Sequence, residues 1–115
     1  MKKAIEKLME TIVEDFRRYG EKSPYGDAAS KAERVEKFAR ALEVKKGKKY
    51  IKIIKGDFPN TCVWGFVVNT DDDEKFRKGD ILKAATWAAP ARNKPRGNVL
   101  DGNFEWVRWT GPAYL

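Results

Sequence analysis

Residues 50–70 read YIKIIKGDFPNTCVWGFVVNT, and this stretch decides the fold. Tyr50-Ile51-Lys52-Ile53-Ile54 is rich in the β-branched and aromatic types that pack on a pleated surface. The turn formers Gly56-Asp57 and Pro59-Asn60 close it. Residues 61–70 form the stronger strand, because Cys62, Val63, Trp64, Phe66, Val67 and Val68 leave it apolar almost throughout. Such continuity predicts cover on both faces, by helices on one side or by barrel closure. Gly65 predicts a bulge, a sharp bend or a close approach of another segment to the backbone.

Downstream, Asp71-Asp72-Asp73-Glu74 reads as a solvated connection, without the spacing or central glycine of a calcium loop. Residues 81–87 are a third strand. Residues 88–103 form a long arm punctuated by Pro90, Pro95 and Gly97, and residues 104–109 (FEWVRW) a fourth strand that Gly111-Pro112 stops. Val99 and Leu100 are expected to pack the end of the arm back onto the domain. Upstream, Ile5, Leu8, Ile12, Phe16 and Tyr19 recur at helical spacing, and Gly20 is expected to end that helix. A second helix starts at Ser23-Pro24 or at Asp27, carries the seam Ala28, Ala32, Val35, Ala39 and Leu42, and is expected to end at Gly47. The expectation is a single α+β domain. Two helices, within residues 1–47, pack on a bent, antiparallel four-stranded sheet or partial barrel built from residues 48–115.

Composition narrows the function. At 115 residues the chain is one domain in length, and its 42% hydrophobic content suffices for a core. A net charge of +7 favours an anionic partner, nucleic acid or a nucleotide foremost. With no histidine and one cysteine, Cys62, the chain has neither a zinc spacing nor an internal disulfide, and Cys62 reads as core filler. No pair of residues advertises a nucleophile with its base, so a non-enzymatic protein is expected, with no catalytic residue, no metal and no cofactor. No apolar run reaches the ~20 residues of a membrane span, and a cytoplasmic protein without a membrane partner is expected.

Two basic groups remain. The first holds Lys45, Lys46, Lys48, Lys49, Lys52 and Lys55. Alternation puts Lys52 on one face with Tyr50 and Ile54, and Lys49 and Lys55 on the core side; edge protection against aggregation competes with a binding role. The second is the arm, where Arg92, Lys94 and Arg96 alternate near Trp87. Arginine grips phosphate with a planar fork, and tryptophan offers a stacking surface. Candidate nucleic-acid contacts are therefore Arg92, Lys94, Arg96, Trp87, Lys48, Lys49 and Lys52. Against this stands an arm that folds back over the sheet as a structural element.

The run KFRKGDILKAATWAAPARNKPRGNVLDGN (residues 75–103) and the ending WVRWTGPAYL complete the picture. Residues 48–115 resemble a group of small accessory proteins encoded by tailed bacteriophages. The resemblance implies a phage accessory product acting in the host bacterial cytoplasm on the host, its nucleic acid or its defences. It carries over no catalytic residue. It adds two alternatives to nucleic-acid binding: a protein–protein inhibitor of a host defence enzyme, and a binder of small signalling nucleotides.

Overall fold

The first helix, α1 (Lys2–Lys22), lays Ile5, Leu8 and Ile12 on the sheet. The structure, a computed structural model, is described for residues 1–56 and 61–113. Leu8 and Ile12 are fully enclosed, and burial of such side chains stabilises by ~1.5–3 kcal/mol each. Gly20 does not stop the helix. The stop lies at Ser23, whose N–H reaches back to the Gly20 carbonyl and whose backbone is extended (φ −73°, ψ 136°). Pro24 is the cause, because a residue before proline is pushed out of the helical region. The second helix, α2 (Ala28–Ala41), is capped by Asp27, whose carboxylate accepts the Ser30 N–H at 2.8 Å. Its residues pack only partially: Phe38 stacks on Phe16 with ring centroids 4.2 Å apart, and no α2 residue is fully buried.

The helix ends at Ala41 and not at Gly47. Residues 43–46, sequence EVKK, form strand β1 (Glu43–Lys46) instead, paired antiparallel with β2 (Tyr50–Lys55). Gly47 belongs to the hairpin turn: its N–H donates to the Tyr50 carbonyl, and a Cβ there would lie 2.8 Å from that oxygen. The division between helical and sheet parts therefore falls near residue 42. β3 (Cys62–Val68) and a short β4 (Ile81–Leu82) complete an antiparallel sheet of order β1-β2-β3-β4. The α+β class with N-terminal helices stands as expected.

Gly65 does both things its position suggests. The β2–β3 register jumps from Ile53↔Gly65 to Ile54↔Val63, so Trp64 is the extra residue of a bulge. A Cβ on Gly65 would also meet the Leu82 carbonyl at 2.9 Å and the Pro112 ring at 3.0 Å. The bulge turns Trp64 into the core, where its indole N–H donates to the Arg108 carbonyl at 2.7 Å.

Two strand expectations change. The third strand is β4 alone, since at residues 83–91 the chain turns back: the amides of Ala85 and Thr86 both donate to the Ala89 carbonyl. Residues 104–109 do not join the main sheet. β5 (Val107–Arg108) pairs with β6 (Gly111–Pro112), the supposed stop, in a separate two-stranded ribbon. Trp109 tethers this ribbon to α1 by donating its N–H to Asp15 at 2.8 Å. The expected turn at Asp57, Pro59 and Asn60, and the end of the tail at Tyr114 and Leu115, lie outside the described residues. Cys62 is exposed at the start of β3, so it fills no core.

Candidate nucleic-acid interface

The sheet has two unlike faces. One carries Ile51, Ile53, Val67 and Ile81 against α1. On the other is a smaller cluster of Phe66, Val68, Phe76 and Leu82, with Tyr50, Val63 and Ala84 packed against it. Pairing across the strands sets Lys45 opposite Lys52, and Lys52 opposite Phe66, on this second face. Beyond Phe66 the row is buried by Leu82; toward β1 it is open.

That open half is both basic and aromatic. The Lys52 ammonium sits 4.4 Å from the centroid of the Trp87 ring, which is 50% exposed. Tyr50 and Phe66 meet edge to face at 5.9 Å, and the Lys49 ammonium lies 5.5 Å from the Tyr50 ring. Lys45, Lys49, Tyr50, Lys52, Phe66 and Ala88 line a shallow hollow of about 370 Å³. Lys49 reaches this side because it stands in the hairpin turn, where strand alternation no longer applies. Lys48 and Lys49 also border a neighbouring cleft of about 460 Å³, where Asp72, Asp73 and Glu74 stand with Arg92, so its charge is mixed.

The arm is built into the fold along its length. Ile81 and the arm exchange backbone bonds, from Ile81 N–H to Gly97 O at 2.9 Å and from Arg96 N–H to Ile81 O at 2.8 Å; Val99 N–H reaches Gly79 O. Asn98 is buried: its amide group donates to Lys78 O and to Asp80, and its oxygen accepts the amides of Leu100 and Asp101. Val99 packs inward as expected, but Leu100 is exposed.

The three basic residues of the arm have separate fates. Lys94 is exposed. Arg96 is only 3% exposed, and its guanidinium donates to Ala113 O at 3.1 Å and to Asn93 Oδ1 and Lys94 O at 2.7 Å each. Burial works against its charge and lowers its pKa. Arg92 is half-exposed. It holds Asp73 through two parallel bonds of 2.9 Å, donates to the Tyr50 hydroxyl and stacks 4.9 Å from the Phe76 centroid.

Asp73 departs from the solvated connection expected of the acidic run. Its side chain is enclosed, and besides Arg92 it accepts the amides of Lys75 and Phe76. The Arg92 bonds first, then those amides, hold its carboxyl well below the usual carboxylate range. Asp71, Asp72 and Glu74 remain exposed. Away from this face, Lys55 and Lys83 donate to the carbonyls of Trp109 and Pro112. Burial lowers the Lys83 pKa, and the nearby Arg96 and Lys55 charges add to the shift.

Of the seven sequence candidates, the structure gathers Trp87, Lys52 and Lys49 around one open half-face, with Lys48 and Arg92 at its margin on the neighbouring cleft. Lys94 stands apart and Arg96 is inside. Sequence reasoning named Lys45 in the first basic group and set Tyr50 beside Lys52, but missed Phe66 as the residue opposite Lys52. The alternation of Tyr50 and Lys52 was a visible signal, whereas the place of Lys45 opposite Lys52 was hidden while residues 43–46 read as helix. Among the described residues no acidic or cysteine cluster could hold a metal ion, and no helix is long and apolar enough to cross a membrane.

A family profile matches residues 1–115, and the chain belongs to that family, a family of unknown function, DUF7717. No curated protein and no solved structure matches the chain.

Proposed function

We propose that this member of DUF7717 is a non-enzymatic protein that binds single-stranded nucleic acid across the open half of its sheet. The observation that carries the reading is the pair Lys45 and Lys52, set directly opposite one another beside the half-exposed Trp87. Like charges opposed across strands are destabilising by ~0.2–1 kcal/mol, and a phosphate between them relieves that repulsion. The adjacent indole offers a platform on which an unpaired base can stack, which duplex bases cannot do. Lys49 extends the positive surface to the hairpin turn, and Lys48 stands beyond it on the mixed-charge cleft. Arg92 lies at its border, already committed to Asp73. The setting, from the resemblance of residues 48–115, is that of a bacteriophage accessory protein in the host cytoplasm.

Fluorescence anisotropy with labelled oligonucleotides tests this. Single strands bind more tightly than duplex, and log K falls with log salt at a slope near −0.7 per phosphate engaged, or about −2 to −3 for three or four lysines. Trp87→Ala and Lys52→Glu each weaken binding about tenfold or more, in line with ~1–3 kcal/mol per stacked base. Absence of binding to DNA and RNA at low salt overturns the proposal. Binding indifferent to both substitutions moves the site elsewhere. Competition by mononucleotides at low concentration favours a binder of small signalling nucleotides instead.

One feature favours a second reading, inhibition of a host protein. A groove of about 670 Å³ opens between α1 and α2, floored by Phe16, Ala28, Ala32 and Val35 and bordered by Tyr19. A stoichiometric protein partner that survives nuclease treatment of a host lysate, and is lost on Ala32→Glu, selects this alternative.

A further inference from the structure

We infer that the chain associates with a second copy of itself through the free edge of β1, in one register that its charges select. β1 is the terminal strand of its sheet, and all four of its residues are exposed. Gly47 N–H bonds inward to Tyr50 O, so by antiparallel alternation Lys45 and Glu43 also bond toward β2. The N–H and C=O groups of Val44 and Lys46 therefore point out from the edge, and such a row is a template for another strand.

Two copies paired antiparallel at this edge are related by a twofold axis perpendicular to the sheet, which keeps like faces on the same side. That symmetry makes the interface isologous. It allows only registers in which facing residues share a face. Centred on Glu43 or on Lys45, the pairing opposes identical charges. Centred on Val44, it sets Glu43 of each copy opposite Lys45 of the other. It also joins the outward N–H and C=O of the two Val44 residues in a reciprocal pair.

Three details agree with this register. Val44 is 41% exposed at the rim of the core face, and across the axis it meets its own copy. The Glu43 and Lys45 side chains fall at a non-hydrogen-bonded position of the new ladder, where facing side chains come closest. Among the described residues neither makes an ion pair within its own chain. Lysines on an edge normally discourage pairing; here Lys45 forbids the Lys45-centred register and leaves the Val44-centred one open. The joined sheet carries Lys45, Lys52 and Trp87 of both copies on one continuous side.

The interface is small, so association is weak and appears as concentration dependence in sedimentation velocity, without nucleic acid. The wild-type protein rises from monomer toward twice the monomer mass as concentration increases. Glu43→Lys and Lys45→Glu, each folded by circular dichroism, stay monomeric over the same range. An equimolar mixture of the two recovers the doubled mass, because each charge then faces its opposite; the double exchange E43K/K45E recovers it alone. Val44→Pro removes the outward N–H without touching the β1–β2 bonds and is monomeric. A wild-type protein that stays monomeric throughout overturns the inference, as does a mixture of the two charge variants that fails to associate. Persistence of the dimer in Val44→Pro also overturns it. Loss of nucleic-acid binding leaves these outcomes untouched, so the two proposals fail separately.

Discussion

Replacing Arg96 by methionine removes a guanidinium while keeping most of the unbranched stem, and its effect separates a clasp from a contact. Three acceptors lose their donor: the carbonyls of Ala113 and Lys94 and the side-chain oxygen of Asn93. Hydrogen bonds to a charged group contribute ~1.5–3 kcal/mol each, but the sum overshoots, because the variant is also relieved of burying a charge. A net loss of about 2–4 kcal/mol is expected. For a chain of this length that lowers the melting temperature by roughly 8–16 °C. Arg96→Lys keeps the charge, yet a single ammonium cannot span three separated acceptors, so it falls between wild type and Arg96→Met. Thermal denaturation followed by circular dichroism gives the stability, and anisotropy well below the transition gives the affinity of the folded protein. The expected pattern is lower stability with affinity changed less than about twofold. Wild-type melting together with lost binding would refute the reasoning, and Arg96 would return to the nucleic-acid surface.

Asp73→Asn tests the acid side. A carboxylate depressed in the fold stabilises fully above its unfolded pKa, about 3.9, and that stability is lost as pH falls through the folded value. The melting-temperature gap between wild type and variant should therefore be constant near neutrality and shrink below about pH 4; a gap that widens in acid contradicts the Arg92 pairing. Gly65→Ala forces a methyl against the Leu82 carbonyl and Pro112, and should cost about 1–3 kcal/mol in urea denaturation. Neutrality there would mean the ribbon and sheet are not in contact. Leu8→Ala opens a cavity between α1 and the sheet and should cost about 2–5 kcal/mol; a smaller effect would place α1 outside the core.

Most of the scaffold was legible because its signals are periodic or local. The spacing of Ile5, Leu8 and Ile12 marked the face that α1 buries, and Gly65 announced the bulge within an otherwise continuous apolar run. Residues 43–46 misled because Glu and Lys are good helix formers. Strand pairing with Tyr50 to Lys55 is a tertiary gain that no local propensity displays. Strands of two residues, such as β5 and β6, are too short to show any period at all. At the site, Tyr50 and Lys52 could be set on one face by alternation. The burial of Arg96 could not be foreseen, since its partners are two main-chain carbonyls and an asparagine whose positions depend on the completed fold.

The shallow seating of α2 divides the molecule into two tiers of stability. α1 is fastened by the enclosed Leu8 and Ile12, whereas α2 has no fully buried residue, is held by Phe38 against Phe16 and Trp109, and leaves a hollow beside it. Detaching α2 frees no fully buried residue of its own, unlike α1, so it can open while the sheet and α1 stay closed, at a free energy below that of global unfolding. Its amides then report a separate, smaller opening reaction, and heating releases the second helix before the rest of the chain gives way.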